Sequence, residues 1–285
     1  MKQQEVKRQK YLWLILFGML SASLAFTRQV TLARNYNDPN GPKFLGQFSD
    51  APFRTNNEIT VVSYNIKYAQ QIATASREFD EVEPLANADI VLLQEMDEVG
   101  TERLAKAHGY NFVYFPAAVH PIYGRNFGNA ILSKWPIRDA QKLILPHKSL
   151  TRSMTRQATK AIVTIGETDV LVYSIHAETA VSVPRYRWNQ YKTIIDDIEA
   201  QADYVIVGGD FNTITSGEVN ELGTKFANVG LVRASNGTGH TVTKLGVEMS
   251  MDHIFTKGFS VETAGKVSEA TASDHLPIWV DLALE

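Results

Sequence analysis

The chain has 285 residues, 44% apolar and 10% aromatic, enough to bury a large core, and this excludes a disordered polymer. With 28 Lys and Arg against 31 Asp and Glu, it lacks the global positive charge of a dedicated non-specific nucleic-acid binder, although a local basic patch stays open. The absence of cysteine excludes disulfides, thiolate zinc sites and thiol nucleophiles.

Residues 1–10 hold Lys2, Lys7, Arg8 and Lys10 against Glu5, and residues 11–26 (YLWLILFGMLSASLAF) carry no charge. A basic start before an apolar run reads as a signal peptide or a signal anchor. As a helix, the run reaches about 24 Å, short of a ~30 Å hydrocarbon core, which suits a signal peptide. Ser23 and Ala25 supply small residues at a cleavage spacing, whereas Trp13, Phe17 and Phe26 suit an uncleaved anchor. Both readings place the remainder outside the cytoplasm, either secreted or held at a membrane. Residues 27–57 are expected to form a tether, because 35–58 is rich in Asn, Pro, Gly and Asp without a sustained period.

A single domain is expected over 58–285, with neither repeat nor linker. Short β-rich apolar runs at 59–66, 90–94, 112–115, 130–133, 161–165, 170–175, 204–207, 253–256 and 277–282 predict strands. Residues 101–108 and 184–200 predict helices; in the second, Trp188, Tyr191, Ile194, Ile195 and Ile198 form one stripe. The runs 160–165 and 170–175 flank a Gly-Glu-Thr-Asp turn and predict a hairpin. The class is therefore α/β (α+β), with two packed, largely antiparallel sheets flanked by helices.

Six of these runs end in residues able to bind metal or move protons. They are Ser63-Tyr64-Asn65-Ile66, Leu93-Gln94-Glu95, the GNAILS run with Asn129, Ser174-Ile175-His176, Gly209-Asp210-Phe211-Asn212, and Met251-Asp252-His253 with Ser273-Asp274-His275-Leu276-Pro277. Strand ends deliver side chains to a shared rim. Singly, each ending has an ordinary structural explanation: a solvated strand end at Glu95, an Asx turn at Asp210, a hydrogen-bonded His176.

The ordered set resembles the endonuclease/exonuclease/phosphatase superfamily, the deoxyribonuclease I-like fold, over residues 59–284. This resemblance implies a four-layer α/β/β/α sandwich and a divalent-metal-dependent phosphoesterase. It implies that Glu95 is the main metal carboxylate, with Asn65 beside it and Asp274 closing the site. Asp210 and Asn212 would orient the attacking water and a phosphate oxygen. His176 and His275 would flank the phosphate, Asp252 would hold His275, and Asn129 would support the site.

Elementary chemistry agrees with these assignments. Oxygen ligands without thiolate favour Mg²⁺ or Mn²⁺. Phosphoester hydrolysis needs a Lewis acid, a deprotonated water and cationic donors. Glu95 with the metal supplies the first, Asp210 the base, and His176 and His275 the donors, with Asp252 favouring the His275 imidazolium.

Lys148, Arg152, Arg156 and Lys160 lie in a stretch without acids (HKSLTRSMTRQATK). Arg152 and Arg156, together with Arg125, are candidate substrate contacts, and Tyr123 is placed to reach the cleft. Arg187 and Gln190 suit packing or capping, and His120, His147 and His240 receive no role. Nucleic acid and lipid or small phosphoesters are equally open as substrates, and a monomer is expected. The alternative, a catalytically inactive binding module using the same cleft, is disfavoured because each expected catalytic position holds a competent residue.

Overall fold

Runs of β-branched and aromatic residues build two large sheets. The structure, a computed structural model, describes residues 32–50, 58–179, 182–198 and 202–285. The basic start and apolar run at 1–26, with 27–31 and 51–57 of the expected tether, lie outside the described residues. Among the described residues, no helix is long and apolar enough to cross a membrane.

In chain order the first strands are β1 (Arg34–Asn35), β2 (Phe44–Gly46), β3 (Glu58–Asn65), β4 (Ile90–Met96), β5 (Asn111–Val119), β6 (Asn126–Ser133), β7 (Ile137–Lys148) and β8 (Thr155–Ile165). There follow β9 (Thr168–His176), β10 (Tyr204–Asp210), β11 (Val232–Arg233), β12 (Val242–Lys244), β13 (Val247–Met249), β14 (Asp252–Lys257), β15 (Phe259–Lys266) and β16 (Ile278–Leu284). The helices are α1 (Ile72–Glu81), α2 (Glu98–Ala107), α3 (Pro184–Asp197) and α4 (Ser216–Ala227). One sheet runs β1-β5-β6-β4-β3-β16-β15 with β2 also on β5, the other β11-β14-β10-β9-β8-β7, and β12 and β13 form a separate hairpin.

Three apolar layers hold these elements together. Val62, Leu93, Phe79 and Leu104 pack the first sheet against α1 and α2. Val61, Leu92, Val172 and Ile206 fill the space between the sheets. Tyr173, Val207, Ile194 and Leu222 pack the second sheet against α3 and α4. Neighbours such as Val61 and Val62 serve opposite faces because side chains alternate along a strand. Burial of each such side chain contributes about 1.5–3 kcal/mol, so these layers stabilise the sandwich. The result is the expected α/β/β/α order, with β8 and β9 forming the expected hairpin.

Two parallel pairs place the functional residues. β3 runs parallel to β4, and β9 to β10, each pair at the middle of its sheet. Their carboxyl ends therefore emerge at one edge, with Asn65 opposite Gln94 and Asp210 opposite His176. Antiparallel β14 sets Asp252 opposite Asp210.

The stretch read as a tether is folded where it is described. Arg34–Asn35 pairs with Val119 and Ala118, and Phe44–Gly46 pairs with residues 112–114 of β5. The Asn/Pro-rich composition conceals these short strands, which take their hydrogen bonds from the open edge of β5. Residues 33–285 form one compact unit, so the folded body begins before 58. Composition also concealed α4, although Thr215 and Glu218 form a capping box at its start, a pattern legible as Thr-x-x-Glu.

Candidate active site

Glu95 reaches the rim through an irregular turn of backbone. The pairing of β4 with β6 shifts register between Leu93 and Met96, and Glu95 adopts φ 56° there. Such a bulge re-aims a side chain at the cost of local strain. Glu95 Oε2 accepts from the Tyr68 amide at 3.2 Å, and Oε1 lies 3.8 Å from His176 Nε2. Burial pushes the Glu95 carboxyl up, Asp274 adds to this, and His275, Arg156 and Asn65 oppose it.

Asp210 is the hub. Its Oδ2 accepts from Asn65 Nδ2 at 3.0 Å and faces His176 Nε2 at 3.5 Å and His275 Nε2 at 3.8 Å. Its Oδ1 accepts from the Asn212 amide at 2.8 Å. Asn212 holds φ 54°, a conformation Asn tolerates, and its side-chain amide donates to the Ala177 carbonyl. Gly209 has no substitute here, because a Cβ would lie 2.0 Å from the Ile175 carbonyl oxygen of the parallel neighbour. Burial raises the Asp210 carboxyl to about 7; Asp252 and Glu95 reinforce this, while His275 and the Asn212 amide pull it down.

His275 donates through Nδ1 to Asp252 Oδ2 at 2.9 Å, the expected pair. Thr241 Oγ1 donates to the same oxygen at 2.6 Å and fixes the carboxylate; nothing in the Thr241 sequence context signals this role. Burial opposes charge on His275, but Asp252, Asp210 and Glu95 outweigh it and hold the ring at about 10. His275 is therefore a cation at neutral pH, with Nε2 directed at the hub.

His176 differs from the expectation of a second cation. It is buried beside Arg156, whose Nη1 lies 3.2 Å from His176 Nε2, and burial followed by Arg156 and His275 holds it well below its ordinary value. It is neutral, and the positive charge on this flank belongs to Arg156. Arg156 is itself buried, with Glu178 Oε1 3.8 Å from its Nη2. Glu178, two residues beyond the strand end in Ile175-His176-Ala177-Glu178, was missed.

The site presents oxygen donors that fit a hard cation. Glu95 and Asp274 are the acids facing the opening, and a cation there would relieve the cost of burying the Glu95 charge. Asp274 Oδ2 lies 3.6 Å from both Lys67 Nζ and Lys244 Nζ. Burial works against its charge, yet His275, Lys244 and Lys67 hold its carboxyl below the ordinary range. Polar atoms of Asp210, Asp252 and His275 also lie within 4.8 Å of one another. Asp252 Oδ2 is engaged by His275 and Thr241, which ties that trio together by hydrogen bonds, while Asp252 Oδ1 is buried without a hydrogen-bond partner.

The profile of the Endonuclease/Exonuclease/phosphatase family matches residues 62–275. The chain belongs to this family. Members of the family are metal-dependent phosphoesterases. A UPF0294 protein of Vibrio cholerae is 28% identical over 116 residues, 41% of this chain and 41% of that protein. One from Vibrio vulnificus is also 28% identical over 116 residues, 40% of each. The match thus spans well under half the length of these curated relatives.

Solved family folds superpose over most of the chain. An endonuclease/exonuclease/phosphatase from Bacteroides vulgatus has a TM-score of 0.65 at 19% identity, covering 80% of this chain and 99% of that one. The human Nocturnin catalytic domain with bound sulfate has 0.61 at 18%, covering 85% and 98%. A mannosyl-6-phosphatase from Bacteroides thetaiotaomicron has 0.60 at 18%, covering 79% and 100%. At these identities the likeness establishes the fold.

The remaining residues frame the candidate site. Asn129 Nδ2 donates to the Gln157 and Ser174 carbonyls at 2.8 and 3.2 Å, tying the sheets together beneath the rim, with Gln94 Nε2 donating to Ser174 Oγ at 3.1 Å. Arg125 pairs with Asp97 at 2.9 Å and donates to the Tyr68 carbonyl, so it holds the Tyr68 loop. Arg152 Nη1 lies 3.4 Å from His120 Nε2, and the His120 ring lies 4.8 Å from Tyr68 and 4.7 Å from Tyr123. His120, given no role by its sequence context, thus belongs to an aromatic wall of the cleft. Lys160 pairs with Asp197 away from the rim. Arg187 and Gln190 tie α3 to Glu218 and to the Glu178 amide, the packing role expected.

Proposed function

We propose that this chain is a Mg²⁺- or Mn²⁺-dependent phosphoesterase that hydrolyses a phosphodiester or phosphomonoester by attack of water. The observation that carries this reading is the Asp210 hub, a buried carboxylate that accepts from Asn65 Nδ2 and the Asn212 amide and faces His176 Nε2 at 3.5 Å and His275 Nε2 at 3.8 Å. Glu95, Asn65 and Asp274 would hold the metal, which when bound supplies Lewis-acid polarisation of the phosphate. Asp210 takes the proton of the attacking water at its Oδ2, and Asn65 and Asn212 position it. A base near 7 is matched to this task at neutral pH.

His275 presents its Nε2–H to a phosphoryl oxygen, where charge develops in the transition state, and Asp252 keeps that ring charged and oriented. Such a donor contributes on the order of 3 kcal/mol. Buried Arg156 adds fixed positive charge on the opposite flank. Export across a membrane through residues 1–26 accompanies this reading.

The test is hydrolysis of a chromogenic phosphodiester and phosphomonoester by the purified chain. EDTA should abolish turnover, and Mg²⁺ or Mn²⁺ should restore it. Undiminished turnover in EDTA, or none with any divalent cation across nucleic-acid, lipid and small-ester substrates, would sink the proposal.

A further inference from the structure

We propose that the rim of the cleft on the His176 side docks on an anionic bilayer and presents the site to membrane-held phosphoesters; the substrate half of this inference rests on the phosphoesterase reading. The first observation is where the chain enters the fold. The Ala33 amide donates to the Arg152 carbonyl at 2.9 Å, and Asn35 Nδ2 donates to the Ser153 carbonyl at 2.8 Å. The N-terminal segment therefore joins the body at the loop between β7 and β8, four residues before Arg156, which abuts His176.

The second observation is what surrounds that entry point. Leu150, Ile122 and Tyr123 are 64%, 62% and 41% exposed. They are gathered together because Leu150 belongs to the Arg152 loop, and Tyr123, beside Ile122, packs on the His120 ring that Arg152 approaches. Isolated exposed apolar side chains are ordinary, but a contiguous group beside a cleft marks an interaction surface. On the His275 side, the β12–β13 hairpin, whose Lys244 approaches Asp274, ends in fully exposed Leu245. Beside the Arg152 loop lies a cavity of about 320 Å³, lined by Tyr68, His120, Leu150, Arg152 and Arg156 among others, and Arg156 abuts His176.

Charge and chain length select the occupant. Lys148 and Arg152 flank Leu150, and Lys67 and Lys244 flank Asp274, giving a basic border that complements anionic headgroups. In sequence, only residues 27–32 separate the apolar run 11–26 from Ala33. Six residues span at most about 20 Å when fully extended. An anchor in that run would keep Ala33, and with it this rim, within about 20 Å of the bilayer.

The chain contains no cysteine, so one introduced thiol can be labelled uniquely. Full-length Leu150→Cys and Ile122→Cys, each carrying an environment-sensitive fluorophore, would be reconstituted into phosphatidylcholine vesicles with and without phosphatidylglycerol. Glu167→Cys, in the turn between β8 and β9 far from His176, is the control. Brominated acyl chains should remove most of the fluorescence at 150 and 122, more with phosphatidylglycerol, and leave 167 unchanged. Adding Leu245→Glu should weaken the quenching at 150. Equal quenching at 150 and 167, or none at 150, overturns the proposal, the latter being the result if residues 11–26 or another protein cover the face. The readout does not depend on turnover: quenching without metal-dependent hydrolysis keeps the docking face and sinks the phosphoesterase, and hydrolysis without quenching does the reverse.

Discussion

Replacing Asp252 tests the chemistry most directly, because its effect is transmitted through one hydrogen bond. With Asp252 in place, His275 sits at about 10 and is cationic throughout the neutral range. Asp252→Asn keeps an acceptor for Nδ1–H but removes the charge, and burial then pulls the ring towards its ordinary value. An imidazole at that value of ~6.5 is roughly 10% cationic at pH 7.5, so loss of charge alone costs about tenfold in turnover. Asp252→Ala also frees the ring to rotate, and the total loss should reach about 10²–10⁴-fold, as for a positioned acid or oxyanion donor.

The sign with pH follows from the raised value: the cation is present throughout the neutral range and is lost as pH rises through about 10. The alkaline limb of the rate profile should therefore move to lower pH in Asp252→Asn, and the variant should regain activity relative to the parent as pH falls. Steady-state hydrolysis by Asp252→Ala, His275→Ala and the double variant completes the assay. The double should be scarcely slower than His275→Ala, a coupling of about 3–5 kcal/mol at ~1.4 kcal/mol per tenfold. Multiplicative losses with an unmoved alkaline limb would refute the reasoning and leave Asp252 as a structural residue of β14.

Glu95→Gln should raise the Mg²⁺ concentration needed for half-maximal turnover and lower the plateau; an unchanged metal titration would reduce Glu95 to a strand-end residue. Gly209→Ala should destabilise the fold by about 2–4 kcal/mol, read as a lower urea midpoint, because β9 and β10 must part to admit a methyl group. An unchanged midpoint would show that the contact relaxes freely. A phosphatase or lactamase reporter fused after Leu284 should be active only outside the cytoplasm, and cytoplasmic activity would refute export.

Most of the candidate site was legible because Asn65, Glu95 and Asp210 fall at the ends of short apolar runs and the Asp274-His275 pair immediately precedes another, in a fixed order. A strand is a local pattern, and the residue at its end is local too. Where structure and reading part, long-range contacts decide. Lys142 and Lys160 sit within β7 and β8, whose mixed charge and apolar pattern hid the length of both strands. Asn35 looks like tether until it is seen to cap Thr155, 120 residues away.

Sequence by itself determined the chemistry on offer: hard oxygen donors, histidines and no thiol, placed at or beside the ends of β-strands. Tertiary structure alone decided the charge each group carries. His176 ends β9 and His275 lies in the loop before β16; burial disfavours charge on both, yet Asp252 and Asp210 together outweigh it at His275, whereas Arg156 adds to it at His176. Protonation depends on burial and on charges a few ångströms away in space, and those neighbours arrive from strands far apart in the chain.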